Sequence, residues 1–355
     1  MTEQRSPAEP TEVAGSVWGL RLKLALVLVV TAGCLVLALW GLDPQVVRQA
    51  LGSVHWGFVL PMCTLYALAH LLRALRFGLL VGMSVPPGRM LSIVTVGFLA
   101  INVIPLRLGE MVRPYLLMER QGVPLGRGIA AVVLERLLDM LMLLGMLLGL
   151  TWVVDLPVAG IEVQGIAVLE VGRRIAGGGL LVGSVIALLV VGVGEPVIRL
   201  VERLPAGRLL GGFSRRFREG ILELLTRPLR ALLLLFLSVS IWGLTIAGVN
   251  VALGGFAGLP TGLGPAWTTW TVTLTGMTAV PTPGFFGSFE AACTGALVLW
   301  GVEADLARTF ALVLHLTQFA FTIVIGSLAL VSEGLGMRAL VRPAVVDEGG
   351  READG

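Results

Sequence analysis

The stretch "PLRLGEMVR", from Pro105 to Arg113, places Arg107, Glu110 and Arg113 three residues apart. It follows the apolar run "SIVTVGFLAINVI", which also carries Asn102. Arginine binds phosphate or carboxylate bidentately, and an acid one helical turn away can hold it in place. Three further groups have this mixed character. "ERLLD" supplies Glu135, Arg136 and Asp139 inside an apolar segment. "PTPGFFGSFE" supplies Pro281, Pro283, Gly284, Gly287 and Glu290, and His315 lies close to Gln318 in the last apolar run. A charge at the centre of a membrane helix costs about 3 kcal/mol on insertion scales. Unpaired, Arg107, Glu110, Arg113, Glu135, Arg136, Asp139 and Glu290 would sum to roughly 20 kcal/mol, more than a typical domain's whole stability. They must pair, face inward or meet water.

Spacing proposes the pairs. Arg107 with Glu110, Glu110 with Arg113, and Arg136 with Asp139 share helix faces. Glu135 and Asp139 also share one and repel unless an arginine sits between them; the 107–113 segment is the natural donor. Pro105 and Pro114 interrupt the helix, with Gly109 between them, and free backbone groups. "PTPGFFG" excludes an ordinary helix, and its free N–H groups before a helix start near Ser288 make a candidate anion-binding end. Bland readings stand beside these. The ion pairs could simply lock helix register, Asn102 could cap or bridge helices, His70 could be interfacial, and His315 with Gln318 could be interhelical hydrogen-bonding groups.

The elements that must position these groups follow from composition. Hydrophobic residues make up 56% of the 355-residue chain and charged residues 14%, against about 25% charged in soluble domains. Mean hydropathy is +0.90. The expected fold is an all-α, polytopic integral membrane protein. Six segments have the roughly 20 apolar residues that cross a hydrocarbon core: 22–41, 56–76, 128–154, 175–194, 229–253 and 304–332. The regions 73–127 and 195–230 are rich in arginine, which places both, and both termini, on the cytoplasmic side of an inner membrane. Trp40, Trp56, Trp152, Trp267, Trp270 and Trp300 fall at the outer ends, as an aromatic belt would. Two apolar regions, 77–104 and 263–300, are broken by glycine and proline. They are expected as two oppositely oriented re-entrant hairpins, the layout of an inverted-repeat transporter. Residues 1–20 and 336–355 read as polar cytoplasmic tails, expected to be disordered, around one membrane domain at 21–335. In "GGFSRRFREGILELL", apolar positions recur at helical spacing opposite arginines, predicting a surface-lying amphipathic helix over 213–224 or a plain connector.

Three motifs in order carry a family resemblance: "NVIPLRLGEMVR", "ERLLDMLML" and "PTPGFFGSFE". Together they resemble the flippase-like transmembrane domain of the lysylphosphatidylglycerol synthase family, over about residues 20 to 335. The family pattern reads proline, two glycines, a variable residue and a glycine. Pro283, Gly284 and Gly287 match, as does Glu290, while Phe285 replaces the second glycine. The resemblance implies lipid translocation between leaflets. No aminoacyltransferase domain is expected after the membrane domain, so the aminoacyl transfer is not carried over.

The function expected is a lipid transporter moving an anionic phospholipid, glycolipid or polyprenyl-phosphate-type lipid through a central charged cavity. Asn102, Arg107, Glu110, Arg113, Glu135, Arg136, Asp139 and Glu290 would form the path. Pro105, Gly109, Pro281, Pro283, Gly284 and Gly287 would form the gate. The alternatives are a membrane scaffold for a lipid-modifying or glycosyl-transferring enzyme, or such an enzyme itself. No "GxxxxGK[ST]" loop occurs, so no nucleotide coupling is expected. Cys34, Cys63 and Cys293 sit singly, without metal or disulfide spacing, and no cofactor is expected. The net charge of +3 is small and does not point to nucleic acid. A membrane lipid is the expected partner, with a homodimer or a lipid-modifying enzyme as further possibilities. Cysteines introduced as Gly258→Cys and Leu210→Cys should react with an impermeant thiol reagent from opposite sides of the membrane. Labelling from one side would overturn the span count.

Overall fold

The computed structural model describes residues 44–82, 85–104, 109–153 and 227–333, with a few isolated residues between 162 and 226. The described residues are almost entirely helical. α1 spans Pro44–Gly52, and after a 3-10 turn at Trp56–Phe58 comes α2, Val59–Val81. α3 is Pro87–Val103, α4 is Val112–Gln121 and α5 is Leu125–Val153. A two-residue antiparallel ladder pairs Glu162–Val163 with Ile166–Ala167. α6 spans Pro228–Gly254, α7 Leu263–Ala279, α8 Ser288–Val298 and α9 Ala304–Ser332. Among the described residues, three helical segments are long and apolar enough to cross a membrane: Trp56–Val81, Pro228–Gly254 and Ala304–Ser332. α5 is as long as α9, at 29 residues, but carries the charged "ERLLD" cluster. The expected spans at 22–41 and 175–194, and the amphipathic segment at 213–224, lie outside the described residues, apart from Gly177, Gly178, Glu219 and Leu222, which are helical.

The helices repeat in length. In the first half a 23-residue helix is followed by helices of 17, 10 and 29 residues. In the second half the lengths are 27, 17, 11 and 29. Each 17-residue helix rises only about 25 Å, short of a hydrocarbon core of about 30 Å. In both halves it turns back on the short helix that follows. A Cβ on Gly97 would fall 2.3 Å from Arg113 Cγ, and one on Gly109 would fall 2.3 Å from the Ala100 carbonyl carbon. A Cβ on Gly276 would fall 2.5 Å from that of Ala292. These crossings define two helical hairpins, α3–α4 and α7–α8.

The hairpins enter from opposite ends of α9. Arg89, near the start of α3, pairs with Glu333, while Ser92 Oγ donates to the Ala329 carbonyl. Leu99 packs on Gly326. α3 thus runs antiparallel to α9, and its C-terminal tip points toward the middle of that helix. The α7–α8 tip reaches the same middle from the other end, where the Gly284 carbonyl accepts from His315. A separate hydrophobic core surrounds each hairpin. Phe77, Ile93, Leu99 and Leu117 anchor one, and Ile246, Phe289, Leu297 and Phe310 the other.

The sequence placed one boundary wrongly. Residues 77–81 continue α2 and do not open a hairpin, so Arg73 and Arg76 lie inside a 23-residue helix, not at its cytoplasmic flank. Trp270 also departs from the belt: it is buried, whereas Trp56 and Trp152 are exposed as expected. Gly109→Ala should destabilise the protein by about 1–3 kcal/mol, because its methyl group meets backbone that cannot swing aside. Gly145→Ala, with nothing within 4 Å of the added Cβ, should be neutral or stabilising. Thermal unfolding in detergent distinguishes the two.

Candidate functional site

α5 carries the centre of the charged network. Its 3.6-residue period puts Glu135 and Asp139 on one face, and Arg136 one position round. Glu135 is fully buried and accepts from three arginines. Arg76 Nη2 lies 3.3 Å from Oε1, Arg113 Nη1 lies 2.5 Å from Oε2, and Arg136 Nη2 lies 3.4 Å from Oε2. Arg76 Nη2 also donates to Asp139 Oδ1 at 2.7 Å, while its Nη1 donates to Ser238 Oγ of α6 at 3.0 Å. Arg136 donates across to Asp139 Oδ2 at 3.2 Å, and its other terminal nitrogen lies 3.9 Å from Glu110. Four elements, α2, α4, α5 and α6, are tied at one point.

The network corrects two expected contacts. Two arginines bridge Glu135 and Asp139, Arg76 of α2 and Arg136 beside them, and neither comes from 107–113. Arg113 does reach Glu135, but on the far oxygen. Glu110 pairs with Arg136 and not with Arg113, because the helix begins only at Val112 and helical spacing does not extend back to 110. The Arg136–Asp139 pair forms as the spacing required. Arg107 and Pro105 lie outside the described residues.

The second hairpin tip has its own network. Pro283–Phe285 form a 3-10 turn, with left-handed backbone at Gly284 (φ 58), Phe285 (φ 62) and Gly287 (φ 84). α8 begins at Ser288 as expected, yet its N-terminus is not an open anion site. Glu290 Oε2 already accepts from the Gly287 N–H at 2.6 Å. The other Glu290 oxygen lies 2.6 Å from His315 Nδ1, and His315 Nε2 lies 3.0 Å from the Gly284 carbonyl. A carbonyl only accepts, so Nε2 carries a hydrogen. The short Nδ1–Oε1 contact requires a second proton between those atoms. Phe289 stacks on the imidazole at 4.4 Å, with Phe286 at 4.7 Å. His315 therefore clamps both ends of the tip.

Between the two networks lies a chamber of about 410 Å³. Its walls include Arg73, Glu110, Arg136 and Asp139 on one side and Thr278, Phe285, His315 and Gln318 on the other, with Asn102 from the first hairpin. Asn102 Nδ2 donates to the Phe98 carbonyl one turn back. Met140 both lines the chamber and is exposed on the outer surface of α5, between exposed Leu137 and Leu141. The chamber thus reaches an apolar outer face of the bundle. Among the described residues no cluster of histidine, cysteine and acids could hold a metal.

Two buried arginines, Arg73 and Arg76, escaped the sequence reading, although both lie on α2 within the apolar core. Their signal was the continuation "FGLLV" up to Gly82, which extends the helix beyond them. His70 is likewise buried, among Tyr66, Phe98 and Phe321, and is not interfacial.

The family model for the lysylphosphatidylglycerol synthase TM region matches residues 22–326. This chain belongs to that family. No curated protein and no solved structure matches it. Membership makes the chain a membrane protein related to lipid handling. Within the family's glycine-rich tip, Phe285 holds a left-handed conformation that a glycine would adopt freely and that costs a non-glycine residue about 1–2 kcal/mol. Its ring in the chamber wall accompanies that strain.

Glu135→Gln should be the most damaging conservative change in the network, destabilising by about 3–5 kcal/mol, because it leaves the fully buried Arg113 without its acid and Arg76 with Asp139 alone. Asp139→Asn, at a carboxylate with 14% side-chain exposure, should cost clearly less. Detergent melting curves of the two variants test the ranking.

Proposed function

We propose that this protein moves the headgroup of an anionic membrane lipid between leaflets, through the chamber where the two hairpin tips meet. The observation that carries the reading is the placement of that chamber. It combines charged and polar walls with tips arriving from opposite ends of a membrane-length helix. Moving one charge into a medium of low dielectric costs on the order of 20 kcal/mol in the idealised limit. A polar chamber of this kind replaces the lost water around a headgroup, while the acyl or prenyl chains stay in the bilayer beyond Met140.

In this reading the hairpins are re-entrant, one from each face of a bacterial inner membrane, and both termini are cytoplasmic. Arg136, half-exposed between Glu110 and Asp139, exchanges a protein carboxylate for the headgroup anion. The Glu290–His315 pair is the proton-exchanging element. Loss of the shared proton would set two lone pairs against each other at 2.6 Å and loosen the tip that Gly284 and Gly287 tie to it. Arg113, Arg76 and Glu135 are the fixed frame, and Asn102, Gln318 and Thr278 offer neutral hydrogen bonds along the path.

The test is leaflet exchange of fluorescent phosphatidylglycerol in liposomes containing the purified protein. Exchange should exceed the protein-free rate. Arg136→Gln and Glu290→Gln should each slow it about tenfold or more, the loss expected from one charge-assisted hydrogen bond, while the protein stays folded. Exchange at the protein-free rate across a panel of anionic lipids would exclude transport. Chemical change in the lipid, read by mass spectrometry, would make the protein an enzyme.

A further inference from the structure

Arg73 differs from every other arginine of the chamber. It is 7% exposed, yet among the described residues none stands within ion-pair distance of its guanidinium. Instead the group lies between two aromatic rings, 5.3 Å from the centroid of Phe98 and 5.3 Å from that of Trp242. Its Nε is buried without a hydrogen-bond partner, as are those of Arg76, Arg113 and Arg136, but those three have acids at their terminal nitrogens. The acids of the buried network are engaged elsewhere. Both oxygens of Glu135 and both of Asp139 bind Arg76, Arg113 or Arg136. A buried charge needs a counter-charge or water, and aromatic faces supply only a part of that. Arg73 lines the chamber.

We infer that Arg73 is the receptor for the phosphate of a lipid headgroup, with the Phe98–Trp242 sandwich holding its fork toward the chamber. A planar guanidinium held over ring faces keeps its donor edge free for a tetrahedral anion, which it can bind bidentately. The rings fix the side chain without using any of its N–H groups. The apolar opening at Met140 favours a phosphate that carries lipid tails over a free ion. This assignment deepens the transport reading and rests on it only for the source of the anion.

The experiment uses the full chain in detergent and three probes: dioctanoyl phosphatidylglycerol, dioctanoylglycerol with the same tails but no phosphate, and inorganic phosphate. Phosphatidylglycerol should raise the melting temperature saturably, as a ligand of the folded state must. Arg73→Gln should weaken that response about tenfold or more, and Arg73→Lys should keep part of it. Dioctanoylglycerol and inorganic phosphate should give little response at matched concentration. An undiminished response in Arg73→Gln, or an equal response to dioctanoylglycerol, overturns the assignment. A full response to inorganic phosphate overturns the lipid source. Should the variants fold poorly, phenylglyoxal modification of the wild-type chain decides. Phosphatidylglycerol should protect Arg73 in peptide maps and dioctanoylglycerol should not; equal protection or none overturns the assignment. The two readings fail separately. Slow leaflet exchange with an Arg73-dependent lipid response removes transport and leaves the phosphate site. Rapid exchange by Arg73→Gln removes the site and leaves transport.

Discussion

A fully buried carboxylate, Glu135, shared among Arg76, Arg113 and Arg136, is the interaction on which this structure turns. At zero exposure it is shielded from bulk solvent, so each charge needs partners supplied by the chain itself. Meeting that demand ties α2, α4 and α5 together, with α6 joined through Ser238. It thereby fixes the first hairpin against the long helices. Gly97 completes the arrangement by leaving room for the Arg113 stem, since any side chain there would occupy the same space.

The second half solves a parallel problem by other means. Its tip has no arginine, and the left-handed turn at 284–287 leaves backbone groups without helical partners. One histidine and one acid satisfy them. His315 holds the Gly284 carbonyl and Glu290 holds the Gly287 N–H, with a proton between the two side chains. The two hairpins are thus secured differently, one by ion pairs to its second helix and one by a bond that depends on a proton. A repeat that is symmetric in helix lengths is asymmetric in chemistry.

Much of this was legible in the sequence. Two apolar regions, 77–104 and 263–300, each broken by glycine and proline, predict the hairpins. The order of "NVIPLRLGEMVR", "ERLLDMLML" and "PTPGFFGSFE" brings Arg113, Glu135 and Glu290 to attention. What was not legible is partner choice. Glu110 prefers Arg136 to Arg113 because the local helix starts too late, which spacing alone does not reveal. Arg73 and Arg76 looked like ordinary cytoplasmic charges, since arginine near a helix end is read as a topology signal. Only the packing of α2 against α5 and α6 shows that they face the interior. The same holds for Trp270, which a belt rule assigns to the membrane boundary and which the fold places in the chamber wall.

Polar groups from both hairpins line one chamber, which the proposed function requires to be reachable by water. Cysteine accessibility in native membranes tests it most directly. Asn102→Cys and Thr278→Cys, placed in a chain whose own three cysteines are replaced, sit on opposite hairpins facing the same space. Both should react with a small hydrophilic thiol reagent, and an anionic lipid held in the chamber should slow both reactions together. Two cysteines as inert as one buried at Cys293, which is fully enclosed, would contradict a shared chamber.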